Sequence, residues 1–433
     1  MKNRSDEPIF HSQGLSRSAS NLAESHRRIR LREILLACLS AERFDMEEKM
    51  KKAVHFGAGK IGRGFIAELL HDSGFEIVFG DVVDALVDIV NKEHQYPLFL
   101  IDHDYEEKII DHVIAYSNIK EPEKIIDAIC EAEVITTSVM ATNLPKIAPL
   151  LTQGLKKRLE QGGGKVTVMA CENAIMGTDI LKKAMIETGI LTAEQIDEIG
   201  VYPNTAVDRM VFGGVHNGKE GIEIGDAFEL AIERGKLIDP DSEPIKGAEY
   251  VDDLMMYLQR KIYIINCGHA IAGYYGQAIK GYEIVQDALR DPDLLPDIRS
   301  AMLESASALE KKYGFAHEDL VNYMETMMIK RFTTPGVVDP IARVSREPIR
   351  KISPNDRIMG PANQCEEYGL DNFHLLKGVA CALKFKADDD PQADELQKFI
   401  ADNGVEAAIV KYTGVAEGSR MYNVILEEYK KLA

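Results

Sequence analysis

The sequence predicts an α/β fold in which a doubly wound parallel sheet precedes a mainly α-helical C-terminal domain. Short apolar strand candidates alternate with helical patterns from Lys51 to about residue 200, and such alternation builds a parallel sheet with right-handed crossovers. A glycine-rich turn joins the first strand to the first helix. Beyond about residue 245, apolar residues recur at helical spacing over 247–290, 296–313, 317–331, 371–386 and 391–400. No internal repeat is visible.

The elements follow in order. Residues 1–49 hold nine Lys plus Arg against eight Asp plus Glu, so they carry almost none of the chain's acidity. A basic flank before Ile34–Ala41 mimics a signal or transit peptide, but Glu24 and Glu33 spoil it. This segment is expected to be a disordered or dispensable extension. Ala53, Val54, His55 and Phe56 form the first strand candidate, followed by Gly57, Ala58, Gly59, Lys60, Ile61, Gly62, Arg63 and Gly64. Ile61, Phe65, Ile66, Leu69 and Leu70 then recur as one helix face, and Gly74 stops the helix. Phe75–Gly80 is the second strand, ending at Asp81, while Glu133–Val139 and Lys165–Ala170 are further buried strands. The expected domains are 50–197 and 198–433, with Ile199–Met210 still reading as strand and loop. The acidic run Asp388–Asp390 before Pro391 reads as a solvated helix N-terminus.

The turn meets the context that G-x-G-x-x-G requires: a strand before, a helix after, and an acidic residue closing the next strand. Gly57 permits the tight turn, Gly59 lets backbone approach a pyrophosphate, and Gly62 lets the helix pack close to the strand. The helix N-terminus offers N–H groups to the phosphates. Asp81, 19 residues after Gly62, is placed to bind ribose hydroxyls and to repel a 2′-phosphate. The N-terminal domain is therefore a Rossmann-type dinucleotide-binding domain, and NAD is the expected cofactor. Glycines serving only a tight turn are the plainer alternative.

In the helical region, Lys261, Asn266 and His269 stand among apolar neighbours. At about 100° per residue, His269 falls about 80° and Asn266 about 140° round from Lys261, so all three share one side of a helix. Oxidising an alcohol needs a base for the hydroxyl proton and donors for the forming carbonyl oxygen. A lysine held out of water can be that base without a metal. Asn173, just after the strand ending at Ala170, is a further candidate donor. A surface lysine with satisfied polar neighbours is the alternative on spacing alone.

The Lys-x4-Asn-x2-His pattern of Lys261, Asn266 and His269 resembles the catalytic signature of the polyol-specific long-chain (mannitol) dehydrogenases. Val207-Asp208-Arg209 is similar to that family's Val-Asp-Arg signature, and the match runs from Met50 to Ala433. Met210-Val211-Phe212 departs from the Ile-x-Pro usual in the larger members. The resemblance implies a zinc-independent, NAD-dependent enzyme interconverting D-mannitol 1-phosphate and D-fructose 6-phosphate, with Lys261 as base and Asn173 and Asn266 holding the reacting oxygen. Dehydrogenation of an unphosphorylated hexitol or a hexuronate, and a non-catalytic NAD-binding regulator, are the rival readings.

Composition bounds the partners. With 45% hydrophobic and 28% charged residues, the chain has ordinary globular usage, which excludes a disordered, collagen-like or disulfide-scaffold class. No stretch approaches the roughly 18 consecutive apolar residues of a membrane span. A net charge of −19 repels nucleic acid and anionic lipid. Six scattered cysteines without a C-x-x-C pair fit free thiols in a reducing cytoplasm and no metal site. An acidic protein binding a sugar phosphate needs a local exception. Residues 330–357 supply it, with seven Lys plus Arg against three Asp plus Glu. Arg343, Arg346 and Arg350 are the candidate phosphate ligands, and surface ion pairing is their alternative.

Overall fold

The computed structural model describes residues 50–432; the extension expected over residues 1–49 lies outside them. The first sheet has the strand order β5-β2-β1-β6-β7-β8, all parallel. Its strands are β1 (Lys51–Phe56), β2 (Phe75–Asp81), β5 (Val113–Ser117), β6 (Val134–Thr137), β7 (Val166–Ala170) and β8 (Gly200–Val201). The period of two along these strands divides the core into two faces. Ala53, Ile77, Phe79 and Val134 join one cluster, and Val54, Phe56, Val78 and Ile135 the other. The order reverses between β1 and β6, which opens a crevice at their carboxyl ends.

The helix over 62–72 follows β1 and begins with a π-type turn over Gly62–Ile66. Gly57, at φ +107°, makes the turn into it. A Cβ on Gly62 would lie 1.9 Å from the Gly57 carbonyl oxygen, so only glycine allows this approach. His55 is wholly buried beneath the turn, its ring nitrogens 2.7 Å from Thr136 Oγ1 and 2.8 Å from Ser138 Oγ. Burial pushes its pKa down to about 3, so it serves here as a neutral polar link.

A second sheet was not expected. Its order is β11-β10-β3-β4, with β9 paired to β10. β3 (Tyr96–Leu100) and β4 (Glu106–Ile110) form an antiparallel pair, and β10 (Lys219–Glu233) lies parallel to β3 and to β11 (Glu249–Val251). β9 (Thr205–His216) turns into β10 through Asn217 and Gly218, both at positive φ, as a two-residue hairpin requires. This sheet covers the helix over 62–72: a Cβ on Gly64 would meet Ile222 and Val211 at 2.6 and 2.8 Å. The expected boundary at 197/198 precedes β8, the last strand of the first sheet, and β9 and β10 share a sheet with strands from the first expected domain.

The remaining chain is helical, as expected. The pattern over 247–290 resolves into β11, one long helix over 254–280, and Val285–Arg290. Asp253 caps the long helix by accepting from the Met255 N–H at 3.0 Å. Buried Ile264, Ile271, Tyr274 and Tyr275 pack it against Leu295–Tyr313 and Phe373–Ala382. Met359–Tyr368, Val405–Thr413 and Arg420–Lys431 are helices beyond those expected. Asp390 is buried, not solvated: it accepts from the N–H groups of Gln392, Ala393 and Glu347. Among the described residues no helix is long and apolar enough to cross a membrane.

Three consecutive residues of β9 join these parts. Val207 offers its carbonyl to Lys261, and Asp208 pairs with Arg331 of the helical region at 3.2 Å. Arg209 pairs with Glu68 of the glycine-turn helix at 2.7 Å, both side chains more than nine-tenths buried. Breaking one half of a buried pair costs about 3 kcal/mol or more, whereas a partly exposed pair contributes below about 1 kcal/mol. Arg209→Ala is thus expected to lower unfolding stability by about 3 kcal/mol. Lys108→Ala, which removes the more exposed partner of Glu68, should cost below about 1 kcal/mol. Urea unfolding of both variants checks this, and equal losses would contradict the anchoring role of Arg209.

Candidate active site

The cofactor end of the site is the turn after β1. The Asp81 carboxylate accepts from the Ala58 N–H at 2.6 Å and from the Val83 N–H at 2.9 Å. It therefore braces the turn, with acceptor capacity left for hydroxyl groups. Arg63 holds the other side of the turn, its Nε donating to the Ala58 carbonyl at 2.8 Å. Gly59 faces open space, since a Cβ there would meet no heavy atom within 4 Å. Ala53, Val54, His55 and Phe56 have no exposed surface. Their side chains support the turn and cannot touch a ligand. Lys60 and Ile61 are exposed at the start of the helix. The open glycine, the free helix start and the carboxylate closing β2 fit a dinucleotide.

Two adjoining cavities, of about 420 and 520 Å³, meet at Glu172, Asn173, Val207 and Lys261. The smaller lies against Ile61, Ser138 and Met140 beside the turn. The larger is lined by Asn266, His269 and the basic segment. Lys261 is buried, and its Nζ donates to the Val207 carbonyl at 2.6 Å and to Asn173 Oδ1 at 3.1 Å. The helix departs from regular α geometry here. Residues Lys261–Asn266 form a π-type turn, whose hydrogen bonds span five residues. Asn266 thus comes about one full turn after Lys261 and lies nearer to it in azimuth than regular geometry predicts.

His269 is stacked on Phe332 with ring centroids 4.1 Å apart, and its Nε2 lies 3.1 Å from Asp339 Oδ2, poorly aligned for a hydrogen bond. Burial lowers its pKa, outweighing the raising effect of Asp339. Burial would raise the Asp339 carboxyl, but His269 and Arg343 together hold it below its ordinary value. Arg343 binds Asp339 Oδ1 at 2.8 Å through Nε and 2.5 Å through Nη2.

The structure brings Arg343, Arg346 and Arg350 to the wall of the cavity that holds Lys261, Asn266 and His269, with Lys351 and Arg357. Lys330 and Arg331 are not in that wall. Two residues escaped the sequence reading. Asp339 orients His269 from 70 residues away along the chain, which no local spacing signals. Glu172 is buried and accepts from Thr137 Oγ1 and the N–H groups of Val139 and Met140, each at 2.8 Å. It pins the loop after β6, and its position beside Asn173 at a strand end was the available signal. Among the described residues, no three or more His, Cys, Asp or Glu side chains group as metal ligands, and the five described cysteines are free.

Asp339→Asn is expected to loosen His269 and Arg343 together. Loss of a charge-assisted contact predicts a fall of about tenfold or more in kcat/KM for the substrate, with NADH affinity unchanged. Steady-state kinetics beside NADH titration checks this. Equal loss of NADH binding would mean that Asp339 supports the fold at large.

Residues 51–240 match the family described as the mannitol dehydrogenase Rossmann domain, and residues 253–433 the mannitol dehydrogenase C-terminal domain. The chain is 38% identical over 383 residues to the mannitol-1-phosphate 5-dehydrogenase of Geobacillus stearothermophilus, covering 88% of this chain and 99% of that one. It is 40% identical over 388 residues to the enzyme of that name from Thermoanaerobacter pseudethanolicus, covering 88% and 98%. Two solved structures share the fold at 17% identity. A substrate-free D-sorbitol dehydrogenase has a TM-score of 0.73 over 87% of this chain and 92% of that one. The Pseudomonas fluorescens mannitol 2-dehydrogenase, in ternary complex with NAD and D-mannitol, has 0.65 over 89% and 92%. A glycine turn closed by Asp81, a lysine between two cavities and matches to both family domains lead to one conclusion: this chain belongs to the mannitol dehydrogenase family.

Proposed function

We propose that the chain is an NAD-dependent oxidoreductase that interconverts D-mannitol 1-phosphate and D-fructose 6-phosphate in the cytoplasm, without a metal and without a nucleic-acid or membrane partner. One observation carries the mechanism. Among the described residues Lys261 pairs with no carboxylate, and it stands where the cofactor-side cavity meets the cavity lined by Asn266, His269 and the arginines. Identity of 38–40% to proteins named mannitol-1-phosphate 5-dehydrogenase supports the substrate.

The turn Gly57–Gly62 would hold the pyrophosphate and Asp81 the adenosine ribose, while exposed Val82 and Val83 offer no cation to a 2′-phosphate. Bound there, NAD supplies a hydride acceptor for the substrate carbon that carries the reacting hydroxyl. The chain's own residues handle the proton. A neutral amine has two N–H bonds and one lone pair. With Val207 O and Asn173 Oδ1 accepting both N–H bonds, the lone pair of Lys261 is left for the substrate hydroxyl. Once protonated, the ammonium turns its third N–H to the forming carbonyl oxygen. Asn173 already uses its Oδ1 on Lys261, so its Nδ2 is free to donate to the same oxygen, and Asn266 donates from the other side. His269 orients a neighbouring hydroxyl. The arginine wall receives the phosphate.

Addition of fructose 6-phosphate to protein and NADH is expected to consume NADH, read as falling absorbance; no consumption would overturn the function. Lys261→Ala should bind NADH normally and lose turnover by a factor of about 10² or more. Near-normal kcat in that variant removes Lys261 from the mechanism. Asp81→Ala should weaken NADH binding about tenfold and shift preference towards NADPH, by loss of a ribose acceptor and of the carboxylate that repels a 2′-phosphate. Titration with both cofactors checks this, and an unmoved preference rules out the ribose contact.

A further inference from the structure

We propose that Arg346 is the residue that makes this site select a phosphate ester, as the primary ligand of the substrate phosphate, supported by Lys351. The inference rests on the sugar-phosphate reading above and separates three arginines that the sequence treats alike.

Each of the other two is committed. Arg343 is held by Asp339, which in turn faces His269. Moving Arg343 to a phosphate would release the carboxylate that orients His269. Arg350 pairs with Glu347 at 2.7 Å and Asp356 at 3.2 Å, and Arg357 takes the other oxygen of Asp356 at 2.8 Å. Arg346 stands exposed in the cavity wall, and among the described residues its side chain has no ion pair or hydrogen bond. A phosphate reaching it breaks no existing pair.

The backbone that carries Arg346 is rigid although its side chain is free. It lies between the short helices Ile341–Val344 and Pro348–Lys351. The N–H of Glu347 donates to Asp390 at 2.7 Å, and that of Arg350 to Gln392 Oε1 at 3.0 Å. Lys351 Nζ donates to the carbonyls of Val344 and Arg346, so this buried cation is tied to the same loop. Among the described residues it pairs with no carboxylate. Burial, with Arg357 and Arg350 nearby, lowers its pKa to about 7, and a bound anion would oppose that shift. The loop thus presents a guanidinium fork, with a second cation beneath it, to an anion that nothing else in the wall neutralises.

The test compares wild type, Arg346→Ala, Arg346→Lys and Arg350→Ala on mannitol 1-phosphate and on mannitol, with NADH binding as the control for folding. Arg346→Ala should lose about 10- to 100-fold in kcat/KM on the ester, with little change on mannitol or in NADH affinity. Arg346→Lys should fall between, and Arg350→Ala, which removes a brace of the loop and not the free fork, should lose clearly less than Arg346→Ala. Inorganic phosphate should compete with the ester in wild type and lose its hold in Arg346→Ala. Undiminished selectivity for the ester in Arg346→Ala, or an equal loss in Arg350→Ala, overturns this assignment and leaves the sugar-phosphate reading standing. A wild type with no preference for the ester brings down that reading and this assignment together.

Discussion

A lysine that is 8% exposed and pairs with no carboxylate among the described residues is the constraint around which this structure is arranged. Burying an ammonium without an anion is costly unless its hydrogens are met by well-placed oxygens. The oxygens here are neutral: the Val207 carbonyl, and the side chain of Asn173 at the end of β7. Neutral acceptors satisfy the amine in either protonation state, since each takes an N–H and neither demands a proton. The acceptors come from two different sheets and the lysine from the helical region, so this arrangement exists only when all three are assembled.

That requirement explains the wiring of β9. Successive strand residues point to opposite faces, and Val207-Asp208-Arg209 uses both faces and its own backbone. The carbonyl of Val207 takes Lys261, Asp208 reaches Arg331, and Arg209 reaches Glu68 on the helix that follows the glycine turn. Three adjacent residues thus tie the base, the helical region and the cofactor turn to one strand. Opposite Asp208 in the β9–β10 register stands Glu229, paired with Arg260 at 2.8 Å, one residue before Lys261. Two carboxylates side by side on a buried ladder repel unless each has its own arginine. The helices supply both, so the charges of the sheet specify which helices dock on it.

What could be read from the sequence was local. The glycine turn, its strand and helix, and the carboxylate closing the next strand are short-range features, and each lies where its spacing places it. The second sheet was not legible because β3 pairs with β10 across more than 120 residues, and because charged residues on the exposed face of β4 dilute the apolar signal. One clue was present: Asn217-Gly218 between alternating segments is a hairpin signature. The π-type turn at Lys261–Asn266 has no pattern of its own, because it depends on a shift in backbone hydrogen bonds. The arginines of the basic segment were readable as a group and not as individuals, since what separates them is the set of carboxylates that the fold brings to each.

The same separation is how so acidic a protein would take up the sugar phosphate proposed as its substrate. The net charge of −19 is summed over the whole chain, and salt screens exposed charges beyond about 8–10 Å. The repulsion felt inside a cavity is therefore set by what lines it. There, Asp339, Glu347 and Asp356 do not cancel the basic wall uniformly; they consume particular arginines and turn them into braces for His269 and for the loop. The cations left without a carboxylate pair in that wall are Arg346 and Lys351 at one end, and the Lys261 amine stands at the other. An extended substrate with an anion at one terminus and a hydroxyl to be deprotonated further along matches that division of charge. A neutral hexitol would meet the same base and the same amides but would leave the cationic end without a partner. The proposed selectivity for the ester would then follow from leaving a few cations without partners in a protein that has acid to spare.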